Sequence, residues 1–249
     1  MIHIFLPAYN EEKALEPLVM KCHDALTRAG KEYRIVVLDD GSSDGTAAAA
    51  ARLSVRYPLT LLKHEKNQGL GRTLKDGLEY LADHSAPDDI VVTMDCDDTH
   101  EPRYILEAVR KLERGHDLVI LSRYAEGGGE EGLSAAKSLM SRGAGIFLKA
   151  FFPIRGVREY SCGYRVMRAS ALKKARAAFG DLVRLTGLGF AVCPEFLVRM
   201  RMLGARITEV PFTLRYDQKK SPSKNRPLKT ILGYFAIVCL YWGRRAPRA

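Results

Sequence analysis

The sequence predicts an α/β fold with a mostly parallel, doubly wound sheet. Short apolar runs, rich in β-branched residues, recur at residues 2–8, 33–38, 59–63, 90–94 and 118–122. Segments of helical period lie between them, and strands that alternate with helices form a parallel sheet covered on both faces. With 249 residues, 47% hydrophobic, the chain has material for one large domain and a sizeable core. Charged residues are 27%, which excludes global disorder.

The elements follow in order. After the first strand, Leu15, Leu18, Val19, Cys22 and Leu26 fall on one helical face. A second helix begins after Ser43-Asp44-Gly45 and carries an alanine run at 47–51; others cover about 71–82 and 102–114. The second half is less regular. The acidic, glycine-rich stretch 127–132 reads as a mobile loop, and it lacks the G-K-[ST] ending of a phosphate cradle. Helices are expected over 134–152, 170–179 and 194–203, and a strand over 206–214. There is no internal repeat.

The apolar stretch 231–242, ILGYFAIVCLYW, falls short of the roughly 20 residues that span a bilayer. Lys229 precedes it, Arg244-Arg245 follow it, and Tyr241 and Trp242 are interface-type aromatics. An interfacial or re-entrant helix fits; the alternative is a buried terminal helix packed on the domain.

The net charge is +10, and most of the excess lies after residue 214, with nine Lys or Arg against one acid, Asp217. Such a tail suits nucleic acid, anionic lipid or a phosphorylated substrate, or is a solvated charged end. Five scattered cysteines without a C-x-x-C pair argue for reduced thiols in a cytosolic setting. The six histidines show no metal-ligand spacing, and no signal peptide is expected where the chain enters HIFLPAY at once.

In doubly wound sheets, ligands bind outside the carboxyl ends of the strands. Three of those ends are acidic or polar here: Pro7-Ala8-Tyr9-Asn10-Glu11-Glu12, the DDGSSDG run 39–45, and Asp95-Cys96-Asp97-Asp98. Any one alone fits a helix cap, and DDGSSDG taken alone reads equally well as one; three on one sheet edge are much harder to explain by capping. Asp95 and Asp97, at i and i+2, point two hard oxygen ligands the same way, which suits Mg²⁺ or Mn²⁺ bound together with substrate phosphates. That implies a diphosphate substrate, with Asp39 facing the rest of a nucleotide. A dinucleotide oxidoreductase is discounted because the first turn has no G-x-G-x-x-G, and Gly69-Leu70-Gly71 lacks the third glycine.

PAYNE, DDGSSDGT, Asn67/Gly69/Gly71, the D-x-D and Ser122-Arg123-Tyr124 together resemble the family 2 glycosyltransferases of the GT-A fold. The likeness continues through EYSCGYR, Gly189-Phe190, Glu195, Glu209-Val210-Pro211 and Ser223-Lys224, and is nearest to the dolichol-phosphate and polyprenyl-phosphate sugar transferases. The resemblance implies a GT-A domain over 1–226 with a C-terminal acceptor region, then a basic, apolar membrane-interface segment over 227–249. It implies nucleotide-sugar contacts from Pro7, Tyr9, Glu11, Val37, Asp39, Asp95, Cys96, Asp97, Arg123 and Lys224, with Asp95 and Asp97 on the metal. Lys137, Ser141 and Arg165 would hold the acceptor phosphate, and Asp97, Arg123 and Lys137 would form the catalytic set.

This chain departs from the pattern in three places. Lys137 stands where the family has Arg, which keeps the charge and loses the bidentate fork. Thr99 stands where a Gln is usual, and DQKKSP interrupts the R-x-x-G-x-S-K pattern. The implied reaction passes mannose or glucose from GDP-mannose or UDP-glucose to a polyprenyl phosphate, with Mg²⁺ or Mn²⁺, at the cytoplasmic face of a membrane and with no nucleic acid partner. The alternatives are a hydroxyl acceptor, for which Glu159 and Glu195 are the candidate bases, and a non-enzymatic nucleotide- or anion-binding protein.

Overall fold

A computed structural model describes residues 1–222, 224 and 227–246. In the first half, β1 (Ile2–Ala8), β2 (Tyr33–Asp39), β3 (Leu59–Lys63), β4 (Ile90–Thr93) and β5 (Leu118–Ser122) alternate with α1 (Glu12–Arg28), α2 (Thr46–Arg56), α3 (Leu70–His84) and α4 (Ile105–Glu113). The second half holds β6 (Gly129–Glu131), α5 (Ala135–Phe151), β7 (Arg165–Arg168), α6 (Ala169–Phe179), α7 (Val192–Met202), β8 (Ile207–Pro211), β9 (Thr213–Arg215) and α8 (Pro227–Tyr241).

Seven strands form one sheet in the order β3-β2-β1-β4-β7-β5-β8. All its pairings are parallel except those of β7, which runs antiparallel to β4 and β5. The period-2 geometry of the strands divides the core in two. On one face Ile4, Leu6, Ile35, Val37 and Val92 pack with Leu15 and Leu18 of α1 and Ile105 of α4. On the other, Phe5, Val36 and Val91 pack with Leu74, Leu78 and Leu81 of α3 and with α6 and α7. Gly77 permits the close approach of α3 to β1: a Cβ there would lie 1.9 Å from Phe5 Cζ.

The second half departs from expectation at three points. The glycine-rich stretch is not a loop throughout, because Gly129–Glu131 pairs in parallel with β9, Glu130 opposite Leu214. The single strand expected over 206–214 is two: β8 ends at Pro211, and β9 leaves the main sheet to pair with β6. The strand β7 was not foreseen; it is short and enclosed by two basic residues, so its period-2 signal is weak.

The apolar C-terminal stretch packs on the domain along one face and leaves its other face exposed. One face of α8 buries Gly233, Tyr234, Ile237 and Tyr241 against the domain, and Tyr241 donates its hydroxyl to Glu195 at 2.6 Å. The opposite face exposes Leu228, Leu232 and Phe235, and Trp242 follows it. On α5, Leu139, Met140 and Ile146 are also exposed. Phe147 packs on Phe235 and Phe151 on Trp242, so the two apolar faces adjoin. Among the described residues no helix is long and apolar enough to cross a membrane.

Candidate active site

The Asp95–Asp98 turn joins β4 to α4, and its three carboxylates have different partners. Asp98 takes a left-handed backbone, φ 65°, rare for a residue with a Cβ. Lys21 of α1 donates to both its carboxylate oxygens, at 2.8 and 2.9 Å. Asp97 Oδ1 accepts from the Thr99 hydroxyl at 2.7 Å and the Thr99 amide at 3.2 Å, and its Oδ2 meets the ammonium of Lys219. Thr99 is therefore a support for Asp97. The backbone N–H of Asp95 donates to His100 Nδ1 at 3.0 Å, and His100 stacks on Tyr164 with centroids 4.9 Å apart.

Burial works against the charge on Asp97, but Lys219 and Thr99 more than offset it, and the carboxyl stays below its ordinary range. Burial pushes Asp95 up, and the charge of Asp97 adds to the push. The Asp95 side chain keeps 32% of its surface open, which softens that push. Burial pushes His100 down, so it stands as a neutral acceptor for the Asp95 amide.

Within DDGSSDG, capping-type duties account for two of the carboxylates. Asp40 accepts the amides of Gln68 and Gly69 at 2.9 and 2.8 Å, and Asp44 accepts the amide of Thr46 at 3.0 Å. Gly41, at φ +67°, lies against the Lys66 backbone, where a Cβ would come within 2.5 Å. Asp39, at the end of β2, is buried and accepts the Ser42 amide at 3.2 Å.

At the end of β1, Pro7 and Tyr9 are half-buried and Glu11 is buried. The chain returns over this end from far downstream. Lys224 Nζ donates to Glu11 at 2.6 Å and to the carbonyl of Asn10 at 3.1 Å, and Ser221 donates to Glu11 at 2.8 Å. Burial nevertheless pushes the Glu11 carboxyl up. Ser223, like Arg226 and Arg248 of the basic tail, lies outside the described residues. Two expected nucleotide contacts are corrected in one respect: neither has a side chain free to reach a ligand, so a contact at these positions would be made by the backbone. The side chains of Val37 and Cys96 are buried in the α1-side core, with 0% and 3% exposure, because the strand alternation turns Val37 there and the D-x-D turn folds Cys96 inward.

Arg123, just beyond β5, is the centre of a second cluster. Its Nε donates to Glu159 at 2.7 Å, Nη1 to Glu130 at 3.0 Å, and Nη2 to Ser141 at 3.0 Å and Ser161 at 3.2 Å. Burial opposes the charged guanidinium, but Glu159 more than compensates and raises it. The amides of Ser161 and Cys162 both donate to Glu159 at 3.1 Å, and Glu209 of β8 accepts the Arg158 and Glu159 amides at 2.7 and 2.6 Å. EYSCGYR is thus pinned beside the D-x-D: a Cβ on Gly163 would lie 3.4 Å from Asp95 Oδ1. Lys137 and Ser141, one turn apart on α5, share a face. Lys137 is exposed and donates to the Tyr216 hydroxyl at 3.0 Å.

Arg165 is a further correction. It lies in β7, 3% exposed, and donates to the carbonyls of Tyr160, Cys162 and Cys193 at 2.6 to 3.1 Å, so it has no free fork for an acceptor phosphate. Both candidate bases are likewise enclosed at 0% exposure. Glu159 holds Arg123, and Glu195 accepts from the amides of Arg184 and Leu185 and from Tyr241. Sequence reasoning missed His100, Glu130, Ser161 and Lys219; Ser161 had a signal in its place within EYSCGYR, and Lys219 in its place within the interrupting DQKKSP.

The residues fit a hard divalent cation in one respect. Asp95 and Asp97 are paired oxygen donors, and Asp97 already attracts a cationic group, the Lys219 ammonium. Among the described residues no group of three or more His, Cys, Asp or Glu is arranged to hold a metal ion, so coordination there needs oxygens from substrate or water.

A sheet of this order, with paired carboxylates beyond β4 and an acidic turn beyond β2, defines a GT-A glycosyltransferase fold. The chain belongs to glycosyl transferase family 2, whose model matches residues 3–176. It is 31% identical over 213 residues to a dolichol-phosphate mannosyltransferase of Pyrococcus furiosus, covering 85% of this chain and 56% of that protein. The chain thus spans little more than half the length of that relative. It is 30% identical over 250 residues to an undecaprenyl-phosphate mannosyltransferase of Micrococcus luteus, covering 97% of this chain and 93% of that one. A polyprenol monophosphomannose synthase of Mycolicibacterium smegmatis is 27% identical, covering 84% and 76%. Among solved structures, glucosyl-3-phosphoglycerate synthase of Mycobacterium tuberculosis in complex with Mg²⁺ and UDP superposes with a TM-score of 0.65 at 22% identity, over 98% of this chain and 79% of that one. At that identity the likeness is one of fold.

Proposed function

We propose that this chain transfers a hexose, mannose or glucose, from a nucleotide-diphospho-sugar such as GDP-mannose or UDP-glucose to a polyprenyl phosphate, with inversion. The observation that carries the reading is an asymmetry at the site. The two carboxylates weighed as a base, Glu159 and Glu195, are fully buried and engaged, while Arg123 lies just beyond β5, Lys224 lies over the end of β1 and Lys137 is exposed on α5. A hydroxyl nucleophile needs a base within reach of its proton; a phosphate monoester is already anionic and needs cations to hold it. The names of the related mannosyltransferases agree with this choice.

Pro7, Tyr9, Glu11 and Asp39 bind the nucleoside. Asp95 and Asp97 would hold Mg²⁺ or Mn²⁺, which when bound would supply Lewis-acid stabilisation of the leaving diphosphate. Arg123, with Lys137 and Ser141, orients the acceptor phosphate; its oxygen bonds to the anomeric carbon as the bond to the diphosphate breaks. The apolar faces of α5 and α8, with Lys229, Arg244 and Arg245 near the ends of α8, seat the protein peripherally on a membrane that contains the acceptor.

A thermal-shift screen of nucleotide sugars with and without Mg²⁺ or Mn²⁺ tests the donor half, since a ligand of the native state stabilises by mass action. A metal-dependent rise with GDP-mannose or UDP-glucose is expected. No rise with any nucleotide sugar would overturn the reading.

A further inference from the structure

Two ion pairs close the two halves of this site, and one small ribbon carries both. On the donor side Lys219 rests on Asp97, with side chains 13% and 12% exposed. On the acceptor side Glu130 rests on Arg123, with both side chains 9% exposed. Glu130 is the middle residue of β6, and Lys219 follows β9, the strand with which β6 pairs.

The ribbon joins the pairs physically. Arg215, at the end of β9, bridges to Glu131 at 3.1 Å and to Asp217 at 2.8 Å. Its amide donates to the carbonyl of Thr99, at 3.0 Å, so the ribbon rests on the D-x-D turn itself. The return from β6 is equally close: a Cβ on Gly132 would come within 2.6 Å of the Asp217 amide. A metal–diphosphate complex at Asp97 and a phosphate at Arg123 must therefore each displace a charge held by the same ribbon.

We propose that the β6–β9 ribbon is a latch that couples the two sites: Lys219 stands in for the donor's cation and Glu130 for the acceptor's anion, and displacing either loosens the hold on the other. The proposal rests on the donor and acceptor assignments made above. Its functional consequence is linkage. Cation binding at Asp97 favours release of Arg123, and phosphate at Arg123 favours release of Asp97, by the same factor in both directions. The acceptor site then presents its arginine mainly when the donor is bound.

The test is Mn²⁺ binding, read by electron paramagnetic resonance of the free ion, for the wild-type chain and for Lys219→Met, Lys219→Gln and Glu130→Gln, with and without inorganic phosphate. Both Lys219 variants should tighten Mn²⁺ binding by about five- to a hundredfold. Glu130→Gln, which alters the acceptor-side pair, should also tighten it, by a smaller factor. Inorganic phosphate should tighten Mn²⁺ binding in the wild type and have less effect in Glu130→Gln. If Lys219→Met and Lys219→Gln tighten Mn²⁺ while Glu130→Gln and phosphate leave it unchanged, the pairs are independent and there is no latch. If neither Lys219 variant changes the affinity, or none of the proteins binds Mn²⁺, the proposal also fails. These readouts involve no sugar transfer, so a missing transferase activity leaves the comparison intact.

Discussion

Arg123 Nε lies 2.7 Å from a carboxylate oxygen of Glu159, and that carboxylate is fully buried. The other Glu159 oxygen receives the Ser161 and Cys162 amides, so the glutamate is fixed before it fixes the arginine. Removing Glu159 leaves the buried guanidinium with Glu130 as its remaining carboxylate partner and leaves the Ser161 and Cys162 amides without their acceptor. Glu159→Ala should therefore cost about 3–5 kcal/mol of stability in urea unfolding. Glu159→Gln should cost less and raise the acceptor KM more than it lowers kcat, because the guanidinium remains but is aimed less well. An unchanged acceptor KM would show that Arg123 does not meet the acceptor.

Asp97→Asn should abolish metal-dependent donor binding and leave the fold in place. Asparagine keeps an oxygen for Thr99, and Lys219 lies within electrostatic reach of Asp95, so the stability change should stay under about 2 kcal/mol. Thermal shift with a nucleotide sugar, titrated with Mn²⁺, reads both. A variant with unchanged metal dependence would make Asp97 a structural residue.

Glu195 anchors α8 through the Tyr241 hydroxyl, with Arg199 Nε also on that hydroxyl at 2.9 Å. Glu195→Gln should lower stability by about 1–3 kcal/mol and still turn over. Because no base is required, its rate should stay flat between roughly pH 6.5 and 8.5. A rate that rises along a single titration in the wild type and loses that rise in the variant would make Glu195 the base.

Membrane seating separates from folding by the choice of face. Leu228 and Leu232 are 79% and 62% exposed on α8, whereas Ile237 is fully buried. Leu228→Glu with Leu232→Glu should release the protein from anionic vesicles in a flotation assay, with stability changed by no more than about 0.5 kcal/mol per site. Ile237→Asp should instead lower the melting temperature. Retained flotation of the double variant would remove α8 from the membrane account.

The parallel half of the fold was legible because its signals are local. Leu15, Leu18, Val19, Cys22 and Leu26 repeat at the helical period, and all are fully buried on α1. The strand-end carboxylates were legible as a group, since three acidic turns on one edge exceed what caps require. Their division of labour was not. That Asp98 turns to Lys21 depends on a left-handed residue and on a helix 77 positions away. The Lys219–Asp97 pair spans 122 positions, and no periodicity reports such a contact. The side chains of Val37, Cys96 and Arg165 were misplaced for a related reason. A motif match gives the segment that lines a site, while the strand's alternation decides which side chains turn away from it.

The most direct measurement is the transfer of labelled sugar from GDP-mannose and from UDP-glucose to a short polyprenyl phosphate, with the matching polyprenol as the control acceptor. The arrangement of Arg123, Lys137 and Ser141, with Glu159 and Glu195 closed off, predicts product with the phosphate and none with the alcohol. Product with the alcohol and none with the phosphate would contradict the account.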